Sequence, residues 1–392
     1  MPHTTHCFNV AIVGGGIAGL AVAWRAQQRG LRTVLLERGK LAHGATHVAA
    51  GMLAPISEAR VGERGLLALS RAALERYPTF VEELASASDL DPGYRAEGTL
   101  FVARDRDEAE ALERELAERE ALGLPVERLL PSEARRREPA LAPTLRLALD
   151  IPGDHAIDPR ALSAALAVAI ERARGVLREG AEVARIATSA DGERVTGVEL
   201  TTGERIDADQ VVIAAGAWVE ALAGLPAHAR VPVRPVKGQI MRLRERGPAR
   251  PGAGRAPLLT RTIRMQPGYL VPRGDGRYVL GATMEEQGFD TAPTAGGVFE
   301  LLRDAIELVP GVAELQIEEL AAGLRPGTPD NAPVLGRGAI DGLQWAAGCF
   351  RHGILLAPIV ADALAATLAG EPLPEVAQPF GAQRFAREAM TA

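Results

Sequence analysis

Cysteine is scarce in this chain. Only Cys7 and Cys349 are present, which excludes a disulfide-stapled scaffold and a cysteine-rich metal site. The seven histidines show no ligand spacing: His43 and His47 are four apart, but Gly44 lies between them and no carboxylate adjoins. No metal is expected. No uninterrupted apolar run approaches the ~20 residues that a membrane-spanning helix needs. The start, "MPHTTHCFNV", lacks the charged-then-apolar pattern of a secretion signal, so a cytoplasmic protein is expected. A formal net charge of -6 leaves no basic footprint for nucleic acid. Lysine is limited to Lys40 and Lys237, so arginine carries the basic charge; with so much alanine, this points to nucleotide-composition bias. An arginine here argues for function only through its surroundings. No internal repeat and no low-complexity linker is visible.

What is present suits a soluble globular protein of two or three domains: 392 residues, 47% apolar and 24% charged. The run from Phe8 to Gly39, "FNVAIVGGGIAGLAVAWRAQQRGLRTVLLERG", carries the first chemistry. Val10 to Val13 reads as a short buried strand. Gly14, Gly16 and Gly19 follow in G-x-G-x-x-G spacing. Ile17, Leu20, Ala21 and Trp24 then fall at helical spacing, Gly30 stops the helix, and "TVLLE" forms a second strand ending at Glu37. The first glycine makes a tight turn, the second lets backbone approach a pyrophosphate, and the third lets the helix pack on the strand. Free N–H groups at the helix start favour the anion. Glu37 can accept from a ribose hydroxyl, and its acidity disfavours a 2′-phosphate. The small-residue stretch 43–55, "HGATHVAAGMLAP", allows a planar ring and a second length of backbone to come close; an ordinary tight connection is the plainer alternative.

Further along, 104–123 reads as a solvated amphipathic helix with Ala109, Leu112 and Leu116 on one face. Residues 160–175 form another helix. Strands follow, with turns at Asp191-Gly192 and Thr202-Gly203 and a buried strand Val211–Ala214 ending at Gly216. From Val231 to Gly288 the pattern becomes alternating strands with a hairpin turn at Asp275-Gly276. The last helix, 353–370, is read as amphipathic. The fold class is α/β, a Rossmann-type dinucleotide domain plus an α+β domain with a largely antiparallel sheet. The expected division is 1–82, 150–222 and 320–392 for the first and 83–149 with 223–319 for the second.

Near the C-terminus, "GLRPGTPDNAPVLG" holds Arg325 between glycines and prolines that fix the backbone path. Together with "VGGGIAGLAVA", "GATHVAAGMLAP", "VVIAAGAW" and "GCFRHGILLAP", it resembles the FAD-dependent D-amino-acid oxidase superfamily over nearly the whole chain, and within it the glycine oxidases of bacterial thiamine biosynthesis. The resemblance implies non-covalent FAD. Its binding residues would be Gly14, Gly16, Gly19, Glu37 and Arg38 from the cradle, and Thr46, Ala50, Gly51 and Met52 from the 43–55 stretch. Val183 and Gly216 would join them, with Arg351, His352, Gly353, Ile354 and Leu355 at the other end. It further implies a substrate clamp of Arg325 and Tyr269, with Arg351 nearby and Met284 lining a small pocket. A guanidinium suits a carboxylate because two parallel donors meet two oxygens. Plainer roles stand beside these: a surface salt bridge for Arg325, a core aromatic at Tyr269, core filling at Met284, and loop positioning by Arg351.

Two positions depart from the family pattern: Cys349 replaces a histidine and His352 an asparagine. Relatives with covalently attached flavin carry a cysteine where this chain has Leu324-Arg325. The implied reaction is oxidation of glycine, sarcosine or a small D-amino acid, with O2 as the final acceptor and peroxide as product. The imine would supply thiazole synthase, and a homo-oligomer is expected. Two rivals are a dehydrogenase of the same fold using another acceptor, and an FAD-binding protein without turnover.

Overall fold

The computed structural model describes residues 8–246 and 256–386; Cys7 and the segment before it lie outside the described residues. Strand β1 (Phe8–Val13) is buried because its apolar run sits between two parallel neighbours, β2 (Thr33–Leu36) and the strand Arg205–Ile213. Such a strand has both faces covered, and Val10, Ala11 and Ile12 are fully buried. Between β1 and β2 runs α1 (Ile17–Gln28). It ends where Gly30 takes φ +79° and its N–H caps the Gln27 carbonyl at 2.8 Å.

The first sheet continues in parallel with Val176–Arg178 beyond β2 and with Leu343–Ala347 beyond Arg205–Ile213. The strands Val183–Thr188 and Val195–Leu200 form an antiparallel meander onto Arg205–Ile213, with the chain reversing at the two expected turns.

The second sheet is assembled from β3 (Arg234–Arg244), β4 (Thr262–Arg264), β5 (Tyr269–Pro272), β6 (Arg277–Gly281) and β7 (Gln316–Gly327). Its order is β7-β3-β6-β5-β4, followed by Thr99–Ala103, Leu147–Ile151 and Glu127–Leu129. Every pairing is antiparallel except that of β4 with Thr99–Ala103. The expected divisions at 149/150 and 319/320 therefore fall inside strands of this sheet. β7 pairs with β3 from Gln316 to Gly327, which places Arg325 on the second sheet.

The register puts several residues on one face. Arg264 pairs with Tyr269, Tyr269 with Gly281, Gly281 with Ile240, and Ile240 with Ala321. Side chains alternate along a strand, so Gly238, Gly323 and Arg325 rise from that same face.

The helix read at 353–370, α2 (Ala357–Leu368), corrects the amphipathic reading. Every residue except Asp362 is buried. α2 packs with α1 in a shared apolar core, where a side chain such as Leu20 or Leu364 contributes roughly 2 kcal/mol by leaving water. Asp362, which made one face look polar, is paired with Arg25 Nε at 3.0 Å. Among the described residues no helix is long and apolar enough to cross a membrane, and no group of three or more His, Cys, Asp or Glu could hold a metal ion.

Candidate active site

A cavity of about 770 Å³ runs between the two sheets. One end is the cradle. Gly14 has φ +110°, and a Cβ there would stand 2.4 Å from the Ala214 carbonyl oxygen. A Cβ on Gly19 would stand 2.0 Å from the Gly14 carbonyl oxygen. The turn and the start of α1 can meet only with glycine at both positions. Gly14 and Gly16 line the cavity; Gly19 does not, and acts by letting the helix approach. The first amide of α1, Ile17 N–H, donates to Thr46 Oγ1 at 3.0 Å, which ties the 43–55 stretch to the cradle. That stretch is more ordered than a loop, with a helical turn at Ala45–Val48 and a short strand at Met52–Leu53.

Glu37 follows directly on β2 at the cavity wall, where its carboxylate accepts from Gly15 N–H at 2.8 Å and Gly39 N–H at 2.9 Å. Arg38 lies over the Trp218 ring, 3.9 Å from its centroid. Thr46, Ala50, Gly51, Met52, Val183 and Gly216 also line the cavity. Arg273, of the "YLVPR" strand, fixes this wall by donating to the Ala50 and Ile157 carbonyls at 2.7 and 2.9 Å.

Arg325, Tyr269, Met284 and Arg351 meet in the same cavity. The guanidinium of Arg325 lies over Gly238, where a Cβ would be 2.3 Å from Nη1. Nη1 donates to the Lys237 carbonyl at 3.3 Å and the Thr283 carbonyl at 3.1 Å. Among the described residues it has no carboxylate partner within 4 Å, which sets aside a salt-bridge role. Burial raises the Tyr269 pKa, with the Arg325 charge opposing, so its hydroxyl stays a donor at neutral pH. Met284 is 56% exposed and stands at the cavity wall rather than filling the core.

The turn Phe350–His352 splits the expected C-terminal binding segment. Arg351, Gly353 and Ile354 line the cavity, whereas His352 and Leu355 turn into the interior and do not. Arg351 Nη2 pairs with Glu63 at 2.5 Å and its Nε approaches Glu58 at 3.8 Å, so it also ties down the segment 58–63. Cys349 lines the cavity as an inert thiol, its pKa pushed up to about 12 by burial.

Burial brings the His352 pKa down to about 4, with Glu58, 3.5 Å from Nδ1, opposing. The folded state thus binds fewer protons than the unfolded chain between pH 6.5 and 4. The stability that His352 contributes is complete above 6.5 and is lost as pH falls through that window. Acidifying from pH 7.5 to 5 should remove about 2 kcal/mol through this group. Chemical denaturation of wild type and His352→Asn at both pH values checks this; an equal loss in both proteins would contradict it.

Reading the sequence alone missed Glu58 and Arg264, both on the cavity wall. Neither sits in a motif; only the strand register and the packing of the two sheets bring them there.

A model of the FAD dependent oxidoreductase family matches residues 9–367. The chain is 37% identical to the glycine oxidase of Geobacillus kaustophilus, over 91% of each chain. It is 35% identical to the bifunctional protein ThiO/ThiG of Synechocystis sp., covering 96% of this chain and 54% of that protein. The crystal structure of glycine oxidase from Geobacillus kaustophilus superposes with a TM-score of 0.87 at 34% identity, covering 97% of this chain and 99% of that one.

Proposed function

The chain belongs to the family of FAD-dependent oxidoreductases, and from that premise we propose that it oxidises glycine and similarly small amines, sarcosine and small D-amino acids, with O2 as acceptor. The observation that carries this reading is Arg325. Its guanidinium is held on one side by two backbone carbonyls and has no carboxylate of its own among the described residues. It shares the cavity with a dinucleotide cradle.

The residues fit FAD. Glycines whose Cβ atoms would block the turn leave room for a pyrophosphate at the start of α1. Glu37, Val183 and Gly216 would hold one end of the cofactor, and Arg351, Gly353 and Ile354 the other. When bound, FAD supplies the hydride acceptor for the substrate Cα–H bond.

The chain's own part is orientation. The remaining Arg325 donors and the Tyr269 hydroxyl hold the substrate carboxylate, a charge-assisted set worth about 1.5–3 kcal/mol per bond. Gly238 keeps the guanidinium flat against the sheet, so the clamp is set before substrate arrives. A fixed carboxylate defines which face of Cα is presented and leaves an L side chain misdirected. The product imine would serve a thiazole synthase, the link that the bifunctional ThiO/ThiG relatives suggest.

A substrate screen with peroxide detection tests this reading. Glycine, sarcosine and D-alanine should give peroxide, and bulky D-amino acids little. Turnover only with an artificial dye, without oxygen uptake, would favour a dehydrogenase. We also expect the flavin to be non-covalent, since no cysteine stands at Leu324-Arg325 and the buried Cys349 thiol is not ionised. Acid precipitation should leave all flavin in the supernatant; yellow colour in the pellet would contradict this.

A further inference from the structure

One segment of the second sheet's domain reaches across to the first beside the cavity. After β6 the chain continues alongside β3 to Glu285, whose N–H and carbonyl each bond Lys237 at 2.9 Å. It is tied to β3 again at Thr294, whose N–H donates to Gln239 Oε1 at 2.8 Å. Between these fixed ends residues 286–293 arch outward, all of them exposed. Two contacts seat the arch. The Phe289 ring meets the Trp218 ring, with centroids 5.8 Å apart. Lys237 Nζ donates to the Asp290 carboxylate, and to the Ala292 carbonyl at 2.7 Å.

Lys237 is 1% exposed, and an ammonium that deep is costly unless paired, so Asp290 is drawn back over it. Phe289 is 54% exposed, and its ring partner belongs to the other domain. Trp218 follows the strand Arg205–Ile213 of the first sheet, lines the cavity and carries the Arg38 guanidinium over its ring. Through Phe289 the second sheet's domain therefore grips a side chain beside the cradle. The pair of Glu286 with Arg234, at 3.2 Å, is solvent-exposed and adds little. One half-exposed ring contact is weak enough to open without unfolding either sheet.

We propose that the arch 286–293 is a catch on the cofactor cavity: Phe289, docked on Trp218, holds the second domain against the cradle side and slows the release of FAD, and Asp290 keeps Phe289 within reach by seating the arch on Lys237. Phe289 and Asp290 are positioning residues. They act on the cofactor through Trp218, and neither lines the cavity itself. No substrate enters this inference, so it stands or falls apart from the glycine reading.

The test follows FAD leaving the loaded enzyme. Each FAD-loaded protein is mixed with excess tagged wild-type apoprotein, and the flavin that has moved to the tagged chain is counted over time. Phe289→Ala should release FAD about fivefold faster than wild type, the factor one aromatic pair supplies, and Phe289→Tyr, which keeps the ring, should release it about as slowly as wild type. Asp290→Ala should also quicken release. Because both contacts seat one arch, the double variant should be little faster than the faster single variant. A second readout is the access of acrylamide to tryptophan in the apoprotein. Trp24 and Trp345 are buried, so quenching reports Trp218. It should rise in Phe289→Ala and equally in Asp290→Ala, whose altered side chain sits on Lys237 rather than on Trp218. Unchanged FAD release in Phe289→Ala overturns the proposal. Faster release that Phe289→Tyr fails to restore overturns it too, as does an Asp290→Ala protein whose Trp218 is no more accessible than in wild type. Both side chains are half-exposed, so neither truncation opens the core.

Discussion

Arg325→Ala is expected to lower kcat/KM for glycine by roughly a hundredfold or more, about 3 kcal/mol of transition-state binding, with FAD content unchanged. The magnitude follows from losing a charge-assisted fork in a desolvated cavity rather than a surface ion pair. Unchanged FAD content follows from position: Arg325 stands on β7 of the second sheet, over Gly238, while the cradle belongs to the first sheet. Arg325→Lys should be nearly as poor, because a point charge cannot keep two carbonyls and a carboxylate in one plane. Steady-state kinetics together with flavin content per chain decide the matter. Loss of flavin in step with the loss of activity would show that Arg325 serves the cofactor instead.

The second large effect is expected at the cradle. Gly19→Ala places a Cβ about where the Gly14 carbonyl oxygen already stands, 2.0 Å away. That neighbour is backbone and cannot swing aside, so the turn or the helix must move, at a cost of about 3 kcal/mol. FAD affinity should fall on the order of a hundredfold. Gly296→Ala is the control, since nothing lies within 4 Å of its added Cβ. The readout is the Kd for FAD measured by quenching of flavin fluorescence on titration into apoprotein. Unaltered affinity in Gly19→Ala would contradict the cradle assignment.

The cradle was legible because its signals are local. Strand, glycines, helix and Glu37 lie within some thirty residues, and each glycine does its work on a neighbour in that span or on the adjoining strand. Arg325 was legible from its rigid flanks and from a family resemblance. What holds it was not legible, since Lys237 and Thr283 lie 88 and 42 residues away in sequence. Arg264 escaped for the same reason, because only the pairing of β4 with β5 sets it beside Tyr269. His352 and Leu355 were expected at the cofactor from the family resemblance, through the backbone of their segment; their side chains are buried and off the cavity wall beside the turn Phe350–His352. α2 looked amphipathic because Asp362 reads as exposed; in the fold, Arg25 comes to meet it. The division at 319/320 missed β7 because a strand and its partner carry no compositional step between them.

The most direct measurement of whether this cavity oxidises glycine is an anaerobic titration of the FAD-loaded enzyme. Glycine should bleach the flavin absorbance fully, and admitting air should restore it with one equivalent of peroxide per flavin. A flavin that stays oxidised under excess glycine, while free cofactor in the same cuvette is chemically reducible, would contradict it.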